Sequence, residues 1–341
     1  MRTAAILIIF LVRCVYLHPT EFKSISDALK GSCIYGPQSV SMILFNSANP
    51  EGKNIGEQEG CALITDRSKP IFFLVHGFIS SGNTTNDYDL AWKLVKKDYT
   101  VFSLDWSTAA CTNGLPGVKL LEYPKAVKNT REIGELMAKY VISLVKDCKI
   151  PLGNITFIGH SLGAHVCGFA AKIIQNSTHD KVNTIIAADP AAPGFKGKNC
   201  KDRLCETDAT HIICLHTSIL GFTIGRVTMQ MNDGAMQPGC GPDFVCSHSR
   251  ALEYLSDMSG PCGYPGVKAP KPSLLESILG SKPSYPTPTT TNCIVLNDKI
   301  FTLKPSDKLN EGNYYVFVEK KYPYCTEEHL SCDPLIISTK Q

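Results

Sequence analysis

The segment Ile155-Thr156-Phe157-Ile158-Gly159-His160-Ser161-Leu162-Gly163-Ala164-His165 holds a serine between two glycines in the pattern G-x-S-x-G. An apolar run precedes it and a helix-like run follows. In that setting the pattern is a nucleophile elbow, a sharp strand-to-helix turn where flanking side chains would clash and glycines are required. The turn lifts the serine oxygen above the sheet, and the helix N-terminus beneath it favours developing negative charge. The chemistry is acyl transfer. A serine hydroxyl is too weakly acidic to attack an ester alone, so it needs a base, and the base needs a carboxylate to orient it. For a serine on such a turn the acid and then the base follow in chain order. Asp189 ends the run Ile185-Ile186-Ala187-Ala188, precedes Pro190, and is the expected acid. Asp105 also ends an apolar run but comes before the serine, so it reads as structural. Four histidines follow Asp189. His211 and His216 bracket an apolar run and read as strand-end residues, and His329 lies in a loose tail. His248, in Cys246-Ser247-His248-Ser249-Arg250, sits on a cysteine-bearing loop that runs into a helix. Position favours His248 and leaves the others open. The oxyanion should meet the N–H of Leu162, after the nucleophile, and that of Phe78, in the loop after Ile71–Val75. His76, two residues before Phe78, reads as a structural hydrogen-bonding residue.

These groups need a scaffold, and the chain alternates strand-like and helix-like patterns from residue 70 onward. Ile71–Val75, Thr100–Leu104, Ile155–Ile158, Thr184–Ala188 and Thr210–Leu215 are expected strands. Helices are expected around Asp87–Lys97, over Lys125–Asp147 and over Leu162–Gln175. In the second of these, Ile133, Leu136, Met137, Tyr140, Val141, Leu144 and Val145 recur at helical spacing, which gives one core-facing side. Strands alternating with helices predict a mostly parallel sheet covered on both faces, the α/β class. After about residue 262 the texture changes. Pro, Ser and Thr crowd Lys282–Thr291, which reads as an exposed linker. The C-terminal stretch beyond it, with a β-like run at Tyr314–Val318, is too short for a comfortable second domain. Residues 24–341 are therefore expected to form one domain, with 281–341 a linker and C-terminal extension.

The chain has 341 residues, with 34 basic and 31 acidic side chains and no dense basic block, which excludes an electrostatic footprint for nucleic acid. Its 15 cysteines include no CxxC pair, so zinc binding is not indicated and an oxidising compartment is. Met1-Arg2-Thr3 followed by the short apolar run Ala4–Val12 reads as a secretory signal peptide, too short to span a bilayer. Cleavage is expected between Leu17 and Lys23, so residues 1–23 are a signal with a possible short propeptide. Cys14 leaves with it, and an even number of cysteines remains. No later segment is long and apolar enough for a membrane anchor. Sequons begin at Asn83, Asn154 and Asn176 and are candidate glycan sites; Asn154 lies closest to a core strand.

Taken together, Phe73–Phe78, Gly159–His165, Ala188–Ala191, Gln237–Cys240 and Cys246–Tyr254 resemble the pancreatic lipase superfamily, and within it the insect venom phospholipases A1. The resemblance spans roughly residues 33–262 and implies an α/β-hydrolase fold with Ser161, Asp189 and His248 as the catalytic triad. It also implies disulfides Cys33–Cys111, Cys200–Cys205 and Cys240–Cys246, the last closing a lid of only five residues. A lid so short, with a shortened loop between His216 and Cys240, implies a phospholipid substrate at a membrane surface rather than neutral fat. Gly225–Met229 departs from the family pattern and reads as a surface loop. At the family's calcium site Arg203 and Asp208 match, but Cys200 and Cys205 stand at two ligand positions, so no metal and no cofactor are expected. The implied protein is a secreted monomeric phospholipase A1. The alternatives are a triacylglycerol lipase of the same fold, or a non-catalytic lipid-binding relative; relatives of the latter kind typically lack the serine, which is present here.

Overall fold

The computed structural model describes residues 39–56, 59–64, 66–112, 119–269, 293–325 and 332–337. The signal segment, Cys33, His329 and the Pro/Thr-rich stretch 282–291 lie outside these residues. In chain order the elements are β1 (Ser41–Asn46), β2 (Asn49–Ile55), α1 (Gly60–Leu63), β3 (Ile71–Val75), α2 (Thr85–Val95), β4 (Thr100–Asp105), α3 (Tyr123–Asp147), β5 (Ile155–His160), α4 (Leu162–Thr178), β6 (Thr184–Ala188), β7 (His211–His216) and β8 (Val227–Met231). They continue with α5 (Phe244–Met258), β9 (Tyr264–Lys268), β10 (Cys293–Leu296), β11 (Lys308–Leu309), β12 (Gly312–Val316), β13 (Asp333–Pro334) and β14 (Ile336–Ile337).

Twelve strands form one sheet in the order β13-β10-β9-β12-β8-β7-β6-β5-β3-β4-β1-β2. Its centre, from β4 through β3, β5, β6 and β7 to β8, is parallel throughout. β1 and β2 close one side with antiparallel pairing, and β9 pairs antiparallel with both β10 and β12 at the other. The central strands are apolar because both faces are covered. In β3 all five residues are buried, and they alternate between two cores. Ile71, Phe73 and Val75 join the side of α3 and α4, while Phe72 and Leu74 join the side of α2 and α5. Helix α3 turns Ile133, Met137, Val141 and Leu144 inward, and α5 does the same with Leu252 and Leu255 on the opposite face.

The fold is the α/β class that the alternation of patterns implied, and the expected strands and helices form with ends shifted by a few residues. Val227–Met231 corrects the expectation of a surface loop: it is β8, paired parallel with both β7 and β12, and four of its five residues are buried. The polar Thr228 and Gln230 break its apolar run, which hides a strand that is enclosed on both sides. β10, β12 and β13 of the C-terminal stretch hydrogen-bond into the same sheet. Disulfides Cys262–Cys325 and Cys293–Cys332 tie that stretch down, and Cys61–Cys148 anchors α1 to the end of α3.

Candidate active site

In a parallel sheet the C-terminal strand ends lie along one edge, and that edge collects the reactive groups. Ser161 stands between β5 and α4 with φ 55° and ψ −118°, a left-handed conformation uncommon for a residue with a side chain. The turn closes only around glycines. A Cβ on Gly163 would lie 2.0 Å from the Val75 carbonyl oxygen, and one on Gly159 would lie 2.6 Å from the Ala164 backbone. Ser161 is held from both ends, since its N–H donates to Ala188 O (3.0 Å) and its own carbonyl accepts from Ala191 N (3.2 Å).

Asp189 follows β6 and is fully buried, with φ 45°. Its Oδ2 accepts from His248 Nδ1 at 2.6 Å. It also accepts from the Ser218 hydroxyl. Its Oδ1 accepts from His216 Nδ1 (2.9 Å), Thr217 N (2.9 Å) and Ser218 N (3.3 Å). Burial alone would raise this carboxyl, but the hydrogen bonds from His216 and His248 win and hold it well below the usual carboxylate range. The Asp189 carboxylate is thus held toward its ionised form, with both oxygens engaged.

His248 sits on the second turn of α5. That helix starts at an Asp243 N-cap, whose carboxylate accepts from Val245 N (2.9 Å) and Cys246 N (3.1 Å). The Cys240–Cys246 disulfide clamps the loop entering the helix, two residues before the imidazole. With Nδ1 committed to Asp189, Nε2 is the nitrogen left for a reacting group. The neutral His160 ring packs 4.6 Å from the His248 ring and donates from Nε2 to His248 O (3.1 Å). Burial, and then the charge of His248, push the His160 pKa down to about 3, so it serves as a neutral brace. Among the described residues no hydrogen bond joins Ser161 Oγ to His248; such contacts tighten on substrate binding.

The His76–Phe78 loop lies directly against the serine. A Cβ on Gly77 would come within 2.8 Å of Ser161 Cβ. His76 anchors this loop: it accepts from Trp106 N at Nε2 (3.0 Å), its carbonyl accepts from Trp106 Nε1 (2.9 Å), and the two rings stack. No described residue accepts from the N–H of Phe78 or Leu162. Both are therefore free to meet an anion. Asp105 bonds Ser107 N (2.9 Å) and borders His76, which is a supporting position.

Of the other histidines, His211 bonds Lys304 O far from Ser161, at the opposite end of its strand. His216 ends β7 as expected, but it is more than an ordinary strand-end residue, because its Nδ1 donates to Asp189. It contacts Asp189 because β6 and β7 pair in register at Ala188 and Leu215, which brings their C-terminal ends side by side. No local sequence signal marks it; only the strand neighbourhood does.

Cys200–Cys205 is disulfide-bonded, and Cys111 is disulfide-bonded as well, while its expected partner Cys33 lies outside the described residues. Cys167 and Cys214 are free, buried thiols. Beside Cys200–Cys205, Asp208 is paired with Lys172, whose ammonium also donates to Arg203 O (2.9 Å), and accepts from Cys205 N (2.8 Å). Among the described residues no group of His, Cys, Asp and Glu is arranged to hold a metal ion. No described helix is long and apolar enough to cross a membrane. Asn83 and Asn176 are exposed, but the Asn154 amide nitrogen that would carry a glycan donates to Arg67 O (2.9 Å) and Ser68 O (3.3 Å).

A serine on a strained turn, beside an imidazole oriented by a buried carboxylate and two unengaged N–H groups, can attack an acyl carbon and hold the resulting oxyanion. With the sheet and helices around it, this defines a serine ester hydrolase of the α/β-hydrolase fold. Residues 37–270 match the Lipase family model, and the chain belongs to that family. It is 48% identical over 312 residues to a phospholipase A1 of Dinoponera quadriceps, covering 90% of this chain and 81% of that one. It is 40% identical to a phospholipase A1 of Solenopsis invicta, covering 97% and 99% of the two chains. A phospholipase A1 of Vespula vulgaris is 44% identical over 268 residues, 76% of each chain.

Proposed function

We propose that the protein is a secreted phospholipase A1 that hydrolyses the sn-1 acyl ester of glycerophospholipids by a Ser161–Asp189–His248 mechanism. The carrying observation is the His248–Asp189 contact of 2.6 Å at the serine elbow. The relatives' shared name supplies the regiochemistry. His248, oriented through Nδ1 by Asp189, takes the Ser161 hydroxyl proton on Nε2 as Oγ attacks the ester carbonyl. The N–H groups of Phe78 and Leu162 receive the oxyanion. The protonated His248 then gives its proton to the departing lysophospholipid oxygen, leaving the fatty acyl group on Ser161. Water, deprotonated by His248, releases the fatty acid and restores the serine.

Hydroxyl activation by His248 needs no metal ion, and the Lys172 ammonium on Asp208 supports a reaction that persists in chelator. Five disulfides among the described residues support a secreted protein. The continuity of β12 and β10 with the central sheet supports one domain over 24–341, and the monomeric state belongs to the same proposal. The short Cys240–Cys246 loop supports phospholipid over neutral fat. Turnover of phosphatidylcholine and of triolein, by wild type and Ser161→Ala, tests the reading. It expects phospholipid turnover reduced by several orders of magnitude in the variant. Strong triolein turnover with silent phospholipid would reverse the substrate assignment.

A further inference from the structure

Seven large hydrophobic side chains are exposed among the described residues, and their placement is not scattered. Ile79 follows the C-terminal end of β3. Leu121 lies between β4 and α3, Ile219 follows β7, Met236 lies between β8 and α5, and Val245 is in the first turn of α5. Because β4 to β8 run parallel, all five emerge on one edge of the sheet, the edge that carries Ser161. Only Leu136 and Tyr322 lie elsewhere.

Each of the five adjoins the site. Ile79 follows Phe78, and Leu121 is two residues from Tyr123, whose ring meets Phe78 edge-on at 5.1 Å. Ser218, before Ile219, donates to Asp189. Gln237, after Met236, donates from its backbone to Ser247 beside His248 (3.0 Å), and Val245 is one helical turn before His248. They come from four separate segments that meet at the edge carrying Ser161.

One flank of this edge is strongly basic. Lys125 and Lys128 are exposed on the first turns of α3, and Lys196, Lys198 and Lys201 are exposed on the loop after Asp189. None of these five is in an ion pair among the described residues. The two segments touch where Tyr123 Oη donates to Pro193 O (3.0 Å), and the loop joins the mouth where Ala192 N donates to Leu220 O (2.8 Å). The acids near these lysines are Glu122, Glu132 and Glu135 on the α3 side and Asp202, Glu206 and Asp208 on the loop; Asp202 is paired with Arg131 and Asp208 with Lys172.

We propose that this edge is a docking face for an anionic phospholipid surface. The five apolar side chains enter the headgroup–acyl boundary around the mouth, and the lysine flank meets negatively charged headgroups. Apolar anchors backed by free cations match that surface in both polarity and charge. This rests on the phospholipase reading for the identity of the layer, but its test does not involve catalysis.

The test is sedimentation of Ser161→Ala protein with vesicles of phosphatidylcholine, alone or mixed with phosphatidylglycerol. Mixed vesicles should bind roughly 100-fold or more tightly than neutral ones, with the gain shrinking as salt rises; each lysine near the surface contributes about five-fold. Replacing Lys125, Lys128, Lys196 and Lys198 with Gln should cut that gain to about the five-fold that Lys201 alone supplies. In the Ser161-bearing enzyme the same four changes should leave hydrolysis of a soluble short-chain ester unchanged. Val245→Ser with Ile79→Ser should weaken binding to both vesicle types. Equal binding to neutral and anionic vesicles, or a lysine variant that binds like its parent, would overturn the proposal. So would a stable dimer broken by Val245→Ser, because the apolar side chains would then belong to a second copy. Vesicle binding without phospholipid hydrolysis would leave docking intact and defeat the phospholipase reading. Hydrolysis of dispersed phospholipid without anionic preference would do the opposite.

Discussion

Gly221→Ala should disable the enzyme without touching a reacting group. Gly221 lies against Asp189 where Ala191 and Gly221 bridge. A Cβ there would sit 2.2 Å from Asp189 Oδ1 and 2.6 Å from its Cγ. That is roughly 1 Å or more short of an ordinary contact. Gly221 has no positive φ, so space and not backbone freedom is what the position demands. Asp189 cannot yield by rotating, since its two oxygens are held by His216, Thr217, Ser218 and His248 and it has no exposed surface. The carboxylate, and the imidazole it orients, must shift together. A misplacement of about 1 Å costs on the order of 100-fold in rate, or about 2.7 kcal/mol of barrier. The overpacking adds about 1–3 kcal/mol of destabilisation. Steady-state kinetics on phosphatidylcholine should show kcat reduced about 100-fold with KM little changed, because Asp189 does not touch substrate. Thermal unfolding confirms that the variant is folded at the assay temperature. Gly56→Ala, where the new Cβ meets only Glu59 Oε2 at 3.7 Å, is the matched control. A folded Gly221→Ala enzyme with wild-type kcat would refute the placement of Asp189 in the mechanism.

His216→Phe removes a donor to a buried carboxylate, an interaction of about 1.5–3 kcal/mol, and should lower kcat at least ~10-fold. His216→Asn keeps an N–H donor and should recover most of the loss; equal damage from both would mean that shape, not the hydrogen bond, matters. Glycan mapping by mass spectrometry should find Asn83 and Asn176 occupied and Asn154 bare, and full occupancy at Asn154 would contradict its bonds to Arg67 and Ser68. Burial pushes the His165 pKa down to about 3, and the neutral ring is satisfied on both sides, donating to Ala191 O and accepting from Leu204 N. The unfolded chain therefore takes up a proton that the fold refuses. This histidine's contribution to stability is complete above about pH 6.5 and declines by ~1.4 kcal/mol per unit as pH falls toward 3. Urea unfolding of His165→Gln between pH 7 and 5 should show a slope shallower by about one proton, and an unchanged slope would contradict the assignment.

What could be read from the chain divides along physical lines. β3 is a run of five apolar residues and β6 is a threonine followed by four, all buried, so composition alone marks them. Ser161 is marked by steric necessity, because the turn excludes side chains at Gly159 and Gly163. β9, Tyr264-Pro265-Gly266-Val267-Lys268, carries a proline and a glycine, the residues that ordinarily argue against a strand, and it forms through pairing with β10 and β12. His216 shows the limit most clearly. Its role depends on which strand lies beside β6, a non-local fact with no trace in its own neighbourhood. The same holds for Cys61–Cys148 and Cys262–Cys325, whose partners are 87 and 63 residues apart, whereas Cys200–Cys205 and Cys240–Cys246 span 5 and 6.

The most direct test is product analysis on a phosphatidylcholine carrying different acyl chains at its two positions, with wild type and Ser161→Ala side by side. Release of the sn-1 fatty acid with the matching 2-acyl lysophospholipid by wild type, and neither by the variant, is the predicted result. Release of the sn-2 chain, or undiminished release by Ser161→Ala, would contradict it.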